Sequence, residues 1–214
     1  MATVHLEREG MLFLHLPKTA GYSLSSAFET VPGARAHPVR GMADLHGAAR
    51  YAASRLGADI FERTWSFAVV RNPWDWAVSG WTHVTRNTRA YPWRRPGFAE
   101  FLTGNWARGL RRNPNPLKFA TPEIFVQYHC FVSQWEHLCD AAGAPVPLSR
   151  LLRFEHLAED LAPIVARLPE GVEIPHLNRS RRTPYQDYYT PELVDLVARR
   201  NAPLIERFGY RFEG

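Results

Sequence analysis

The chain has 214 residues, 45% of them hydrophobic, two cysteines and a formal net charge of +5. That length supports one domain with a substantial core, and two cysteines are too few for a disulfide framework. No apolar run approaches the ~18 residues needed to cross a bilayer, and MATVHLEREG lacks the apolar centre of a signal peptide, which predicts a cytoplasmic protein.

Residues 1–10 read as a short polar lead-in. Met11 to Leu16 is a buried strand by its unbroken apolar run, closed by Pro17, which cannot donate to a sheet ladder. A loop, Lys18 to Ser23, leads into a helix over Ser23–Glu29 that ends at Pro32-Gly33. The pattern over 34–43 fits a strand or a loop. Asp44–Leu56 is helical, with Asp44 as N-cap and Gly57 as stop. A second strand covers Thr64–Val70, and a helix follows from Trp74 to about Val84. Residues 87–122 are rich in Pro, Gly, Arg and Trp and read as an insertion with short helices at best, such as Phe98–Leu102. Phe125–Leu138 fits a helix, and Pro145 and Pro147 mark a loop. Arg150–Phe154 fits a strand. Leu157, Leu161, Ile164, Val165 and Leu168 recur at helical spacing, with Pro163 setting a kink or a restart. Thr190-Pro191-Glu192 starts the last helix: hydroxyl cap, proline in the first turn, then an acid. Its apolar face is Leu193, Val197, Leu204 and Phe208, disturbed at Pro203. Strands alternating with helices predict a three-layer α/β fold, P-loop-like, with a central parallel sheet flanked by helices. The whole of 1–214 reads as one domain, with the insertion on the acceptor side.

The chemistry concentrates at two strand ends. LFLHLPKTAGYSL, Leu12 to Leu24, places one lysine, one glycine and hydroxyls between a strand and a helix N-terminus. Converging loop N–H groups, the helix dipole and a lysine together hold an anion. The pattern is not the G-x-x-x-x-G-K-[ST] phosphate loop, because Lys18 precedes the loop's one glycine. That disfavours an ATPase or kinase. The second strand runs into RNPWDWAVS, Arg71 to Ser79. Arg71 offers a forked donor and Ser79 a hydroxyl, a pair suited to a terminal phosphate.

These two stretches resemble the 5′-phosphosulfate loop (HLPKTAGYSL) and the 3′-phosphate motif (FAVVRNPWDWAVSGW) of sulfotransferases that use 3′-phosphoadenosine 5′-phosphosulfate. The likeness is to the membrane-type and carbohydrate sulfotransferase group. LLRFEHLAEDL and the stretch from His176 to Phe212 also fit, so the resemblance spans nearly the whole chain. Tyr22 departs from it, standing where the family has Thr or Ser. The resemblance implies that Pro17, Lys18, Thr19, Ala20, Gly21, Tyr22, Ser23 and Leu24 hold the 5′-phosphosulfate, with Lys18 stabilising the leaving oxygen. It implies that Arg71 and Ser79 hold the 3′-phosphate, and that the segment with Ser180, Arg181 and Arg182 closes over the nucleotide.

Sulfuryl transfer also needs a base for the acceptor. His37, His46 and His83 lie near strand ends or on motif helices and are the candidates; His15, just before the loop, reads as structural. Seven basic residues between Arg89 and Lys118 face one acid, Glu100. With Trp93, Phe98 and Trp106 interleaved, that stretch is a candidate lid for a carbohydrate or other small-molecule acceptor. The excess is local, which argues against a nucleic-acid-coated surface. No Cys/His cluster has zinc spacing. The alternatives are an ATP-dependent phosphotransferase and a non-catalytic nucleotide or nucleic-acid binder.

Overall fold

The computed structural model describes residues 2–38, 47–86, 96–103, 133–175 and 183–213. The chain divides into two compact units, Met1–Arg71 with Trp135–Arg181, and Asn72–Gln134 with Arg182–Gly214.

The first unit is built on a five-stranded sheet. In chain order the strands are β1 (Ala2–Leu6), β2 (Met11–Leu14), β3 (Ala34–Pro38), β4 (Trp65–Val70) and β5 (Arg150–Arg153), and they lie in the order β3-β1-β2-β4-β5. Helix α1 (Gly21–Phe28) follows β2, α2 (Ala48–Leu56) and α3 (Ile60–Arg63) precede β4, and a further helix, Leu157–Val165, follows β5.

The sheet has the expected parallel part, and two strands paired antiparallel extend it at one edge. β2, β4 and β5 run parallel, with Phe13 beside Phe67 and Phe67 beside Arg150. β1 is antiparallel to both β2 and β3. The reason is local: only Glu7–Gly10 separates β1 from β2, closed by the Gly10 N–H donating to the Glu7 carbonyl at 3.2 Å. So short a connection can only reverse the chain, whereas parallel neighbours need a crossover. The supposed polar lead-in is thus a strand. Its polar members, Thr3 and His5, lie on one face while Val4 and Leu6 enter the core on the other.

That core face gathers Val4, Leu6, Met11, Phe13, Phe67, Val69 and Leu152, covered by Leu24 and Phe28 of α1 and by Leu161 and Ile164. Phe13 is central, with ring centroids 5.3 Å from both Phe28 and Phe67. Burying each such side chain contributes about 2–3 kcal/mol. α1 is therefore clamped to the sheet by the same residues that fix the end of β2. The helix over Leu157–Val165 continues through Pro163. Asp160 in it accepts from the backbone N–H of Arg153 at 2.8 Å and from the Arg153 side chain at 3.2 and 3.1 Å, tying β5 to its helix.

In the second unit the long helix is α4 (Pro73–Arg86), with α5 (Phe98–Thr103). Numbering the helix Leu157–Val165 as α6, the C-terminal pair is α7 (Pro191–Arg200) and α8 (Ala202–Phe208). Pro203 does split the C-terminal helical run, and the break falls at Asn201. That residue is buried, donates through Nδ2 to the Val197 carbonyl at 3.1 Å, and accepts from the Gln134 N–H at 3.3 Å. Asn72 caps α4, its Oδ1 accepting from the N–H groups of Trp74 and Asp75 at 3.1 and 3.4 Å, with Pro73 supplying a preset first turn. The core is aromatic: Trp74, Phe98, Phe101, Tyr189 and Phe212 among others.

Candidate anion-binding site

The loop between β2 and α1 is tightly formed. His15, Leu16 and Pro17 are buried, and Thr19 is fully buried with its hydroxyl donating to the Leu16 carbonyl at 3.0 Å. Lys18 and Ala20 both take φ of 63°. A left-handed backbone at a residue with a Cβ costs on the order of 1–3 kcal/mol and concentrates where a site demands it. Here two such residues bracket Thr19. They turn the chain so that α1 starts at once, with Ala20 as a left-handed N-cap that supplies no side-chain cap.

The first intrahelical bond runs from the Leu24 N–H to the Ala20 carbonyl at 3.1 Å. The N–H groups of Gly21, Tyr22 and Ser23 precede it in the opening turn, where a helix N-terminus can receive an anion. α1 has no acid in its first turn, so its positive dipole end is not offset by a carboxylate on the helix. Ser23 is buried in the loop wall, and Tyr22 is 58% exposed.

Arg71 leaves β4 and comes to the same loop. Its Nη1 donates to the Lys18 carbonyl at 3.2 Å, and its guanidinium lies 4.2 Å from the centroid of the Phe154 ring. Stacking on one side and hydrogen bonding along an edge hold the fork in one orientation. The first unit therefore unites Pro17–Leu24 with Arg71, two stretches 53 residues apart, at the carboxyl ends of two adjacent parallel strands. That is where open α/β sheets bind ligands.

The remaining candidates lie on other elements. His37 pairs with Thr3 on β1, about 10 Å from β2 across two strand spacings. Its Nε2 is buried without a hydrogen-bond partner. Burial first, then His5, Arg35 and Arg55, lower its pKa from the ordinary 6.5, against a raising pull from Glu7. Ser79 is buried and His83 half-buried on α4, in the second unit. Trp74 is a core residue: its indole N–H donates to the Val194 carbonyl at 3.0 Å. His46, Ser180, Arg181, Arg182 and the basic residues of Arg89–Lys118 lie outside the described residues, as do Cys130 and Asp44. Among the described residues, no group of three or more His, Cys, Asp or Glu is placed to hold a metal, and no helix is long and apolar enough to cross a membrane.

Two contributors had no clear mark in the sequence. Phe154 supplies the platform under Arg71 from a different strand end. Ser25, on α1, has its Oγ at 2.9 Å from Nδ1 of His15. The clue for Ser25 was its spacing, one turn beyond Gly21 on a helix whose buried face includes both.

No family model and no curated protein matches the sequence. Among solved structures the chain is similar to a sulfotransferase from Alicyclobacillus acidocaldarius, at 18% identity and a TM-score of 0.39. The likeness covers 79% of this chain and 63% of that one.

Proposed function

We propose that this chain transfers a sulfuryl group from 3′-phosphoadenosine 5′-phosphosulfate to a hydroxyl or amine of a carbohydrate or small natural-product acceptor. The observation that carries the reading is the junction of the two motifs: Arg71 hydrogen-bonded to the backbone of Lys18, beside the opening turn of α1. A nucleotide with phosphates at both its 5′ and 3′ positions needs two anion sites, and a single phosphate loop supplies one.

The donor set fits. Three helix N–H groups and Lys18 suit a 5′-phosphosulfate, and the anchored guanidinium suits a phosphate. Ser79 and the Ser180–Arg182 segment join the proposal on the motif alone. The nucleotide supplies an activated sulfuryl group. The chain binds and orients it through the loop amides, and Lys18 places its ammonium where negative charge grows on the departing phosphate oxygen, so it stabilises the transition state more than the ground state. In-line transfer also requires a proton to leave the acceptor oxygen or nitrogen, which is the role proposed for one of His37, His46 and His83. An imidazole held neutral, as burial holds His37, is in the form that accepts a proton.

The test is transfer of label from a ³⁵S-labelled donor to pooled carbohydrate and phenolic acceptors. The reading expects transfer by the native chain and at least a roughly hundredfold loss in Lys18→Ala, the scale of removing one transition-state donor. Transfer of phosphate from γ-labelled ATP instead would replace it with a phosphotransferase.

A further inference from the structure

Glycine at position 21 is not explained by backbone conformation, because its φ is not among the positive values found in this chain. It is explained by space. A Cβ built there would stand 2.5 Å from both Cδ2 and Nε2 of His15 and 2.9 Å from Cε1. These are atoms of a packed ring rather than the end of a flexible chain, and His15 is 7% exposed. The histidine leaving β2 is thus pressed against the first residue of α1, across the base of the anion loop.

The ring is also fixed chemically. Ser25 has one hydroxyl proton, and its Oγ lies 2.7 Å from the Ala2 carbonyl, which can only accept. The serine therefore donates to Ala2 and must accept in its 2.9 Å contact with His15 Nδ1. Nδ1 carries the proton, and in the neutral ring the lone pair falls on Nε2, the atom against Gly21. The chain Nδ1–H to Oγ–H to carbonyl links β1, β2 and α1, the three elements that converge beneath the loop.

We propose that His15 is the positioning residue of this loop: locked as the Nδ1–H tautomer by Ser25, its ring sets how closely α1 begins to β2 and makes glycine obligatory at 21. The loop's left-handed turns at Lys18 and Ala20 lie between these two contact points, so the ring also fixes where the Gly21, Tyr22 and Ser23 N–H groups aim. Its effect on a bound nucleotide rests on the proposed function; the packing and the tautomer do not.

Three measurements decide it. Gly21→Ala lowers the melting temperature by about 5 °C through overpacking on a chain of this size. In a His15→Ala background the same change costs nothing further, and a full penalty there would overturn the contact. Two-bond ¹H–¹⁵N spectra of histidine-labelled protein show His15 as the Nδ1–H tautomer, and Ser25→Ala releases that preference. An Nε2–H tautomer in the native chain would overturn the relay. His15→Asn keeps a donor for Ser25 and removes the ring. Below its melting transition it binds adenosine 3′,5′-bisphosphate about tenfold more weakly, and unchanged affinity would overturn the positioning role. A native chain that binds no bisphosphate defeats the proposed function instead, while the first two measurements still decide the His15–Gly21 contact.

Discussion

Arg71 gives the sharpest prediction, because the structure shows what it does for the fold and the proposed function gives it a second role toward a ligand. The side chain is 9% exposed, bonded to the Lys18 carbonyl and stacked on Phe154. A hydrogen bond from a charged donor contributes about 2 kcal/mol, and a cation–π contact with this little water adds about 1 kcal/mol. Arg71→Ala therefore loses about 3 kcal/mol of stability, or about 6–12 °C in melting temperature for a chain of this length. On the proposed function it also removes one phosphate donor. Loss of a charge-assisted contact to a dianion weakens bisphosphate affinity by about 2–3 kcal/mol, which is roughly 30- to 150-fold. Arg71→Lys keeps the charge but neither the fork nor the planar stack, so it should fall between the two. Differential scanning fluorimetry and calorimetric titration measure both quantities on the same samples. An Arg71→Ala variant that melts within about 1 °C of the native chain and binds bisphosphate equally well would refute the reasoning.

Removing the Asp160 carboxylate, as in Asp160→Ala, leaves the Arg153 N–H and guanidinium without their partner and should cost about 2 kcal/mol by urea denaturation. The Arg153 hydrogen bond holds the Asp160 carboxyl below its ordinary value of 3.8, so its stabilisation is present above that pH and lost as pH falls through the lowered value. That acid-limb contribution should disappear in Asp160→Asn. His5 and His37 have pKa values lowered mainly by burial. Their neutral forms favour the fold above about pH 6.5, and that contribution is lost as the pH falls below 6.5 through the lowered values. His37→Gln should flatten that part of a melting-temperature profile, and an unchanged profile would remove His37 from the account. Asn72→Ala should cost about 1 kcal/mol, the worth of an N-cap, read by urea denaturation; no change would mean Pro73 starts α4 without it.

The organising loop was legible because its message is local. An apolar strand, a proline stop, a lysine, a glycine and a helix start are consecutive, and the structure builds them in that order, with the strand ending earlier, at Leu14, and the helix starting earlier, at Gly21. β4 with the helix after it, and the break before Pro203, were legible for the same reason. β1 was not, because a strand with Thr3 and His5 on one face and Val4 and Leu6 on the other carries weak alternation over five residues, and its burial comes from α1 and from two neighbouring strands rather than from its own pattern. The antiparallel half of the sheet went with it. In the site, Lys18 and Arg71 could be named from their strand ends, but not the bond between them. Asn72 drew no role of its own from the sequence, whereas the structure employs it as a cap for α4 and as a donor to the Arg211 carbonyl at 2.9 Å. Phe154 and Ser25 owe their roles to pairings across β4–β5 and β2–α1, which no single stretch of sequence displays.

The central claim is that the loop at Lys18 and the guanidinium of Arg71 serve a nucleotide phosphorylated at both ends of its ribose. A thermal-shift titration with adenosine 3′,5′-bisphosphate, run beside ATP and AMP, tests it most directly, since a ligand that binds only the folded chain must raise its melting temperature. The account predicts a saturable rise with the bisphosphate that neither ATP nor AMP matches. An equal or larger rise with ATP, or none with the bisphosphate, would contradict it.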